Sequence, residues 1–272
     1  MAKRITKKDI YKEFDIDFIK AGKSNWHIVT PIGHMPPVLV AGNEKIGKVW
    51  HFSTLPGSKE YDVTLADGKK ETICGTCAGN CENGYCMGGH YKRRQSVKNS
   101  LANKTVLARD YMEFLNKAIR AQIIADHIDK LRIHVTGDFF SREYLNMWVS
   151  IVKDFPAVTF WTYTKEENAE TAFDSFPNAN IVKSNIPGAG FNFGHCDYII
   201  AVYKLLKALG KTVYICRCGI DDKQHCDKCT ACAKAEYVLF LEHGTSYDPH
   251  KDPLFPEFER IVNEQGNVYL TV

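Results

Sequence analysis

The sequence predicts an α/β protein in which strands of a parallel sheet alternate with helices, arranged as a partial β/α barrel. Three observations lead to this prediction. From Leu131 onward, short runs of β-branched and aromatic residues alternate with segments whose apolar residues recur at helical spacing. Polar side chains follow each predicted strand, where parallel α/β folds gather their ligands. Two cysteine-dense segments accompany this alternation and predict metal-binding loops.

The elements follow from local patterns taken in order along the chain. Short strand-like runs occupy 26–52, and the apolar stripe from Leu107 to Ile123 predicts a long helix over 105–125. Ser141 is a suitable cap for a helix that runs to Asp154. Further strands are predicted at 132–136, 158–163, 180–183, 212–215 and 237–241, with helices at 7–19, 169–176 and 198–209.

Length and composition set the class of protein. The chain has 272 residues, of which 44% are hydrophobic and 25% charged, and a net charge of +3, all ordinary for a globular protein. We expect an N-terminal extension (1–25), one α/β domain (26–245) and a C-terminal helix and strand (246–272). Because the sequence lacks a long apolar run and a secretory signal, we expect no membrane association and a cytoplasmic location, the host cytoplasm if a phage encodes it.

The first cysteine-dense segment, 74–86, has the spacing C-x2-C-x3-C-x4-C. Glycines and asparagines between the cysteines permit the sharp backbone that converging thiolates need. In a reducing compartment such a segment indicates an iron–sulfur or zinc site rather than disulfides, and the unequal steps favour iron–sulfur. The predicted metal ligands are Cys74, Cys77, Cys81 and Cys86.

The second segment, 216–232, contains the compact C-x2-C-x2-C spacing that places three thiolates on one face of a [4Fe–4S] cluster. A fourth ligand would come from the pair that precedes it. A four-cysteine zinc site with one cysteine left over is the alternative. The predicted ligands are Cys216, Cys218, Cys226, Cys229 and Cys232.

Polar residues at the predicted strand ends form a candidate pocket. Gly137 and Asp138 follow one strand, Lys165 the next, and Ser184 and Asn185 the third. A carboxylate after a strand is suited to accept hydrogen bonds from a ligand amine, so Asp138 and Lys165 are the candidate catalytic residues. A turn or cap role for Asp138 and a solvated role for Lys165 are the alternatives, and we expect His134 to be a core histidine.

A basic stretch follows the first cysteine segment. Lys92, Arg93 and Arg94, with Lys98 and Lys104 beyond them, would contact phosphates if the protein bound nucleic acid, and Tyr91 would stack on a base. A solvated charged face is the alternative.

Four segments of the chain are distinctive: 132–141 (RIHVTGDFFS), 160–165 (FWTYTK), 226–232 (CDKCTAC) and 238–243 (VLFLEH). Together they resemble a known family of phage and bacterial proteins, named for gene product eighty-eight. The resemblance runs from about Trp50 to His243. It implies a phage-related origin and supports the α/β architecture without implying a reaction.

The chain is also similar, more loosely, to radical S-adenosylmethionine enzymes. Those proteins carry a cysteine triad before a partial β/α barrel, bind the cofactor on an open iron, and hold its amino group with an acidic motif after the next strand. The resemblance implies that Gly137, Asp138, Ser184 and Asn185 line the cofactor pocket and that 216–232 holds an auxiliary cluster. The spacing of 74–86 departs from the usual C-x3-C-x2-C, and Asp138 stands where such motifs carry glutamate.

These observations predict an iron–sulfur enzyme of the radical S-adenosylmethionine type acting on an unknown substrate. Such an enzyme would also need an electron donor. The first alternative is a nucleic-acid-binding or processing protein with structural zinc or iron–sulfur sites. The second alternative is a redox carrier or sensor, against which the polar strand ends argue.

Overall fold

The computed structural model describes residues 4–23, 25–42, 47–77, 94–184, 191–217, 226, 229, 231–241 and 247–265. No helix in these ranges is long and apolar enough to cross a membrane. The elements in chain order are α1 (Lys7–Glu13), β1 (Phe18–Lys20), β2 (Trp26–Thr30), β3 (Gly33–Met35), β4 (Trp50–His51), β5 (Glu60–Thr64), β6 (Lys70–Cys74), α2 (Gln95–Asp110), α3 (Met112–Ala125), β7 (Lys130–Arg132), α4 (Arg142–Asp154), β8 (Thr159–Thr164), α5 (Ala169–Phe173), β9 (Ala179–Lys183), β10 (Phe191–Gly194), α6 (Cys196–Ala208), β11 (Val213–Cys216), β12 (Tyr237–Leu241) and α7 (Phe255–Glu264).

The centre of the fold is a four-stranded sheet in the order β4-β7-β8-β9, and every neighbouring pair is parallel. Because successive side chains of a strand point to opposite faces, the sheet has two different surfaces. Leu131 and Phe160 point to the face that carries the main hydrophobic core, which also contains residues of α2, α3, α4 and α5. Trp161 and Tyr163 lie on the opposite face, against cysteines of the second segment.

A second sheet has the order β10-β12-β11 and is also parallel. Helices α6 and α7 pack on it and form a smaller core. β11 is one of the two edge strands, and the side-chain amide of Gln265 closes its free edge. That amide accepts from the Ile215 backbone N–H at 2.8 Å and donates to the Ile215 carbonyl at 3.1 Å. Buried backbone groups at the edge are thereby satisfied.

The predicted N-terminal extension packs on the main core. Helix α1 is shorter than the predicted 7–19, and β1 follows it and pairs antiparallel with β2. Tyr11, Ile16 and Phe18 are buried in the same cluster as the residues of the four-stranded sheet. Apolar residues in this basic segment therefore give it a core-facing side.

Two local predictions differ from the structure. The long helix predicted over 105–125 begins earlier, at Gln95, and is interrupted at Tyr111, whose backbone is not helical. The strand predicted over 132–136 ends at Arg132, because His134 and Gly137 have positive φ values of 58° and 81°. The helix after Ser141 is confirmed, and the Ser141 hydroxyl accepts from the Tyr144 N–H at 3.1 Å.

The architecture is therefore mixed α/β with parallel sheets. The strands predicted for one partial barrel are divided between the four-stranded and the three-stranded sheet, and β10 was not predicted. Within the segment 246–272, the predicted helix corresponds to α7. The predicted terminal strand lies outside the described residues.

Candidate functional site

The first cysteine segment begins beside the carboxyl ends of β4 and β7. Strand β6 ends at Cys74, and the next residues turn toward the segment that follows β4: the Thr76 N–H donates to the Leu55 carbonyl at 2.9 Å. The Thr76 hydroxyl lies 2.7 Å from the Thr54 hydroxyl and accepts from the Asp138 N–H at 3.2 Å. Thr76 therefore links the first cysteine segment to the predicted pocket residue Asp138.

Gly137 makes this close approach possible. With φ at +81°, a Cβ on Gly137 would lie 1.8 Å from the Thr54 hydroxyl oxygen and 2.6 Å from that of Thr76. Only glycine fits this backbone without moving both threonines. The glycine acts through its lack of a side chain, which a spacing argument alone does not predict.

Cys77 is held by backbone contacts on the same side of the site. Its Sγ accepts from the Gly57 N–H at 3.1 Å, and its own N–H donates to the Gly57 carbonyl at 3.1 Å. Cys77 is half-buried and Cys74 is exposed, with Cys74 Sγ 4.0 Å from a carboxylate oxygen of Glu60. Cys81 and Cys86 lie outside the described residues.

Asp138 is buried and joins the ends of β7 and β8. Its Oδ1 accepts from the Phe139 N–H at 2.8 Å and from the Thr164 hydroxyl, and its Oδ2 accepts from the Lys165 N–H at 2.9 Å. The Asp138 carboxylate thus anchors the loop after β7 to the end of β8.

The other strand-end residues meet around Thr164. The Ser184 N–H donates to the Thr164 carbonyl at 2.7 Å, and Lys165 reaches Asp138 through its backbone. The structure therefore brings Gly137, Asp138, Lys165 and Ser184 together at the carboxyl ends of neighbouring strands in the sheet. Asn185 lies outside the described ranges.

The described cysteines of the second segment lie on the face of the four-stranded sheet opposite the main core. Cys216 ends β11, and Cys229 and Cys232 pack with it around Tyr214 and Val182. Cys226 and Cys232 also pack against Tyr163 and Trp161 of β8. Residues distant in sequence therefore enclose four of the five predicted ligands, while Cys218 lies outside the described residues.

The pKa of Cys232 depends on its burial and on the thiols beside it. Burial raises the pKa of Cys232 to about 12, the adjacent Cys226 and Cys229 add to the rise, and a hydrogen bond from Tyr163 and the charge of Arg132 oppose it. The Tyr214 hydroxyl lies 3.2 Å from Cys229 Sγ. Burial and the nearby thiols raise the pKa of Tyr214 well above its usual range.

None of the seven described cysteines is in a disulfide. Over the same part of the chain, no three cysteine, histidine or acidic side chains converge closely enough to hold one metal ion. The donor chemistry nevertheless fits a thiophilic centre, because sulfur ligands suit iron–sulfur clusters and zinc. Among the described residues, Cys216, Cys226, Cys229 and Cys232 match such a centre in donor type, although they do not converge on one ion.

The remaining predicted residues are His134 and the basic residues that follow the first cysteine segment. His134 is buried, its Nε2 lies 2.8 Å from the Tyr144 hydroxyl, and burial lowers its pKa to about 3. Arg94 is exposed and precedes α2, whereas Lys92 and Arg93 lie outside the described residues. Lys104 is buried, with 3% of its surface exposed, so it does not belong to a solvated basic face.

Sequence reasoning did not identify Thr54, Thr76, Arg132 or Tyr163 as part of these sites. Thr54 and Thr76 connect segments that are distant along the chain. Tyr163 of β8 contacts Cys232 of the second cysteine segment. The Arg132 guanidinium lies 5.0 Å from the Tyr163 ring centre. Threonines at or shortly after the ends of β4, β7 and β8 (Thr54, Thr136 and Thr164) were the available signal, but nothing local distinguishes a bridging hydroxyl from a solvated one.

A family profile described as gene product 88 matches residues 38–186, more than half of the chain. The chain belongs to the gene product 88 family. The matched region contains the first cysteine segment and the strand-end residues, and it ends before the second cysteine segment. The family is designated by a gene number, which assigns no reaction.

Two phage proteins are similar to this member of the family. The Gene 88 protein of Mycobacterium phage D29 is 27% identical over 200 residues, covering 66% of this chain and 77% of the relative. The Gene 88 protein of Mycobacterium phage L5 is 28% identical over 159 residues, covering 55% of this chain and 60% of the relative. No solved structure matches the chain. These comparisons give no support to the resemblance to radical S-adenosylmethionine enzymes.

Proposed function

We propose that this member of the gene product 88 family is an iron–sulfur enzyme. Its substrate would bind at the carboxyl ends of the four-stranded sheet, and the reaction would be of the radical S-adenosylmethionine type. The observation that carries the proposal is the hydrogen bond between the Asp138 N–H and the Thr76 hydroxyl, which lies between Cys74 and Cys77. This contact fastens a cysteine-dense loop to a buried acidic residue at a strand end.

Each cysteine segment has its own role in the proposal. Three of the four cysteines Cys74, Cys77, Cys81 and Cys86 would hold a cluster at the carboxyl ends of the strands and leave one iron open for S-adenosylmethionine, to which the cluster would provide an electron. The cysteines of the second segment would hold a [4Fe–4S] cluster that would accept electrons from a donor. The Tyr163 and Tyr214 hydroxyls beside Cys232 and Cys229 would donate to cluster thiolates, and such hydrogen bonds influence the reduction potential.

In this proposal the strand-end residues hold and orient the loops around the site. Asp138 fixes the loop after β7 through its contacts with Thr164 and Lys165. Gly137 provides the space that lets the threonines approach. The Ser184 N–H donates to the Thr164 carbonyl at the end of β9, and in this proposal Ser184 and Asn185 would line the substrate pocket.

Purification without oxygen tests the first part of the proposal. We expect brown protein with a broad visible absorption band, iron and acid-labile sulfide in equal amounts, and loss of about half of each in the Cys77→Ser variant and in the Cys229→Ser variant, since each substitution removes the cluster of its own segment. Cys196→Ser is the matched control, because Cys196 is buried but belongs to neither segment. Colourless protein that contains zinc in place of iron would reject the iron–sulfur assignment.

Product analysis tests the reaction class. The reconstituted protein should release 5′-deoxyadenosine when S-adenosylmethionine and a strong reductant are added. An intact cluster spectrum without that product would reject radical S-adenosylmethionine chemistry while leaving the iron–sulfur assignment in place. A host-cytoplasmic location would suit the phage origin of the two relatives.

A further inference from the structure

Helix α6 has an apolar stripe on the side that faces away from its own sheet. The helix packs on β10, β11, β12 and α7, and Cys196, Ile199 and Leu206 on its inner side are buried in the smaller core. Other apolar residues recur three and four positions apart and therefore form a second line along the helix. This stripe consists of Tyr198, Ala201, Val202, Leu205, Ala208 and Leu209.

The stripe is exposed along its whole length. Leu205 and Leu209 are 59% and 63% exposed, and Tyr198 is 46% exposed. The other exposed large apolar side chains of the described ranges belong to separate segments, such as Ile5 before α1 and Ile124 on α3. Single exposed apolar residues are common in globular proteins, whereas a contiguous line of them indicates an interaction surface.

The shape of the stripe is complementary to a second copy of itself. Large side chains at Tyr198, Leu205 and Leu209 alternate with the small Ala201 and Ala208, so the ridges of one helix fit the gaps of another. In an antiparallel pair with a twofold axis close to Val202, Leu205 of each copy lies at the level between Tyr198 and Ala201 of the other. Tyr198 lies between the levels of the two leucines. The twofold axis makes both halves of the contact identical.

Charged residues beside the stripe favour this antiparallel orientation. Asp197 and Lys204 are seven residues apart and therefore lie on the same side of α6. Lys204 pairs with Glu257 at 2.7 Å, whereas Asp197 forms no ion pair with a described residue. Around a twofold axis near Val202, Asp197 of each copy comes within one helical turn of Lys204 of the other. A parallel pair would align like charges with each other.

We propose that this protein forms an antiparallel homodimer through the α6 stripe. Burial of the apolar side chains supplies the affinity, and the Asp197–Lys204 contacts set the orientation. A single pair of helices of this length buries less than the roughly 1,600 Å² of a standard interface, so we expect a Kd in the micromolar range. The proposal involves neither cysteine segment and does not depend on the proposed function.

Sedimentation velocity of the full chain, in the presence of a thiol reductant, tests the proposal over about 5 to 200 µM. We expect a reversible shift from monomer to dimer as the concentration rises. Leu205→Glu places two carboxylates in the apolar contact and should weaken dimerisation by at least about 100-fold. The Tm of its monomer should be unchanged, because Leu205 is exposed. Asp197→Lys should weaken dimerisation by a smaller factor, about 3- to 10-fold.

Ile124→Glu is the matched control, because Ile124 is an aliphatic residue that is 41% exposed on a different helix. It should dimerise as the unmodified chain does. A chain that stays monomeric throughout, or equal dimerisation by the Leu205→Glu and Ile124→Glu variants, would overturn the proposal. Tighter dimerisation of Asp197→Lys would overturn the antiparallel orientation. A monomeric chain that binds anionic lipid vesicles, with loss of that binding in Leu205→Glu, would assign the stripe to a lipid surface instead.

Discussion

Replacement of Lys104 by methionine should make the protein more stable at neutral pH. Lys104 is buried on α2, has no ion-pair partner in the described part of the chain, and lies over the Phe52 ring. Methionine keeps an unbranched side chain of similar length and removes the charge. The expected gain is therefore the electrostatic penalty that the folded protein bears for the buried ammonium.

The magnitude follows from the pKa of Lys104, which burial lowers from 10.5 to about 8. A difference of this size corresponds to about 3 kcal/mol between the folded and unfolded states. Below pH 8 lysine is charged in both states, and the folded state bears the full penalty. Between pH 8 and 10.5 the folded protein binds fewer protons than the unfolded chain, so the penalty decreases as the pH rises and disappears above 10.5.

Urea unfolding followed by circular dichroism measures the effect. At pH 7 the midpoint of Lys104→Met should lie about 1 M above that of the unmodified chain, and the two should converge near pH 10.5. The matched control Lys98→Met, on the same helix at a half-buried position, should change stability by less than about 0.5 kcal/mol. A less stable Lys104→Met variant at pH 7, or a gain that persists unchanged at pH 10.5, would refute the assignment of a buried, unpaired ammonium.

Three further substitutions test the packing around the site, each by its free energy of unfolding. Gly137→Ala should cost about 2–4 kcal/mol because its Cβ would overlap a threonine hydroxyl, whereas Gly210→Ala, at φ +70° with no neighbour within 4 Å, should cost about 1 kcal/mol. Thr164→Val removes the hydroxyl that donates to Asp138 and should cost about 2 kcal/mol, with lower occupancy of any cluster held by the first cysteine segment. Gln265→Met leaves two backbone groups of edge strand β11 without partners and should cost about 2–4 kcal/mol; a change below 0.5 kcal/mol would show that the edge does not need this amide.

Local patterns account for much of the secondary structure. Ser141 predicts the start of α4 because capping depends only on residues a turn apart. The spacing of apolar residues locates β8, β9 and β12, because a buried strand is rich in apolar residues. The interruption at Tyr111 is not marked by glycine or proline, so sequence periodicity continues through it.

The sequence by itself determined the alternation of strands and helices, the two cysteine-dense segments and the polar strand ends, because each is a short-range pattern of residue types. Only the tertiary structure joined Thr76 to Asp138, divided the strands between two sheets and enclosed Cys232 beside Tyr163. It also buried Lys104, which in the sequence is one of several basic residues after the first cysteine segment. These outcomes depend on contacts between distant segments. Whether a single side chain is buried cannot be predicted from the residues next to it in the chain.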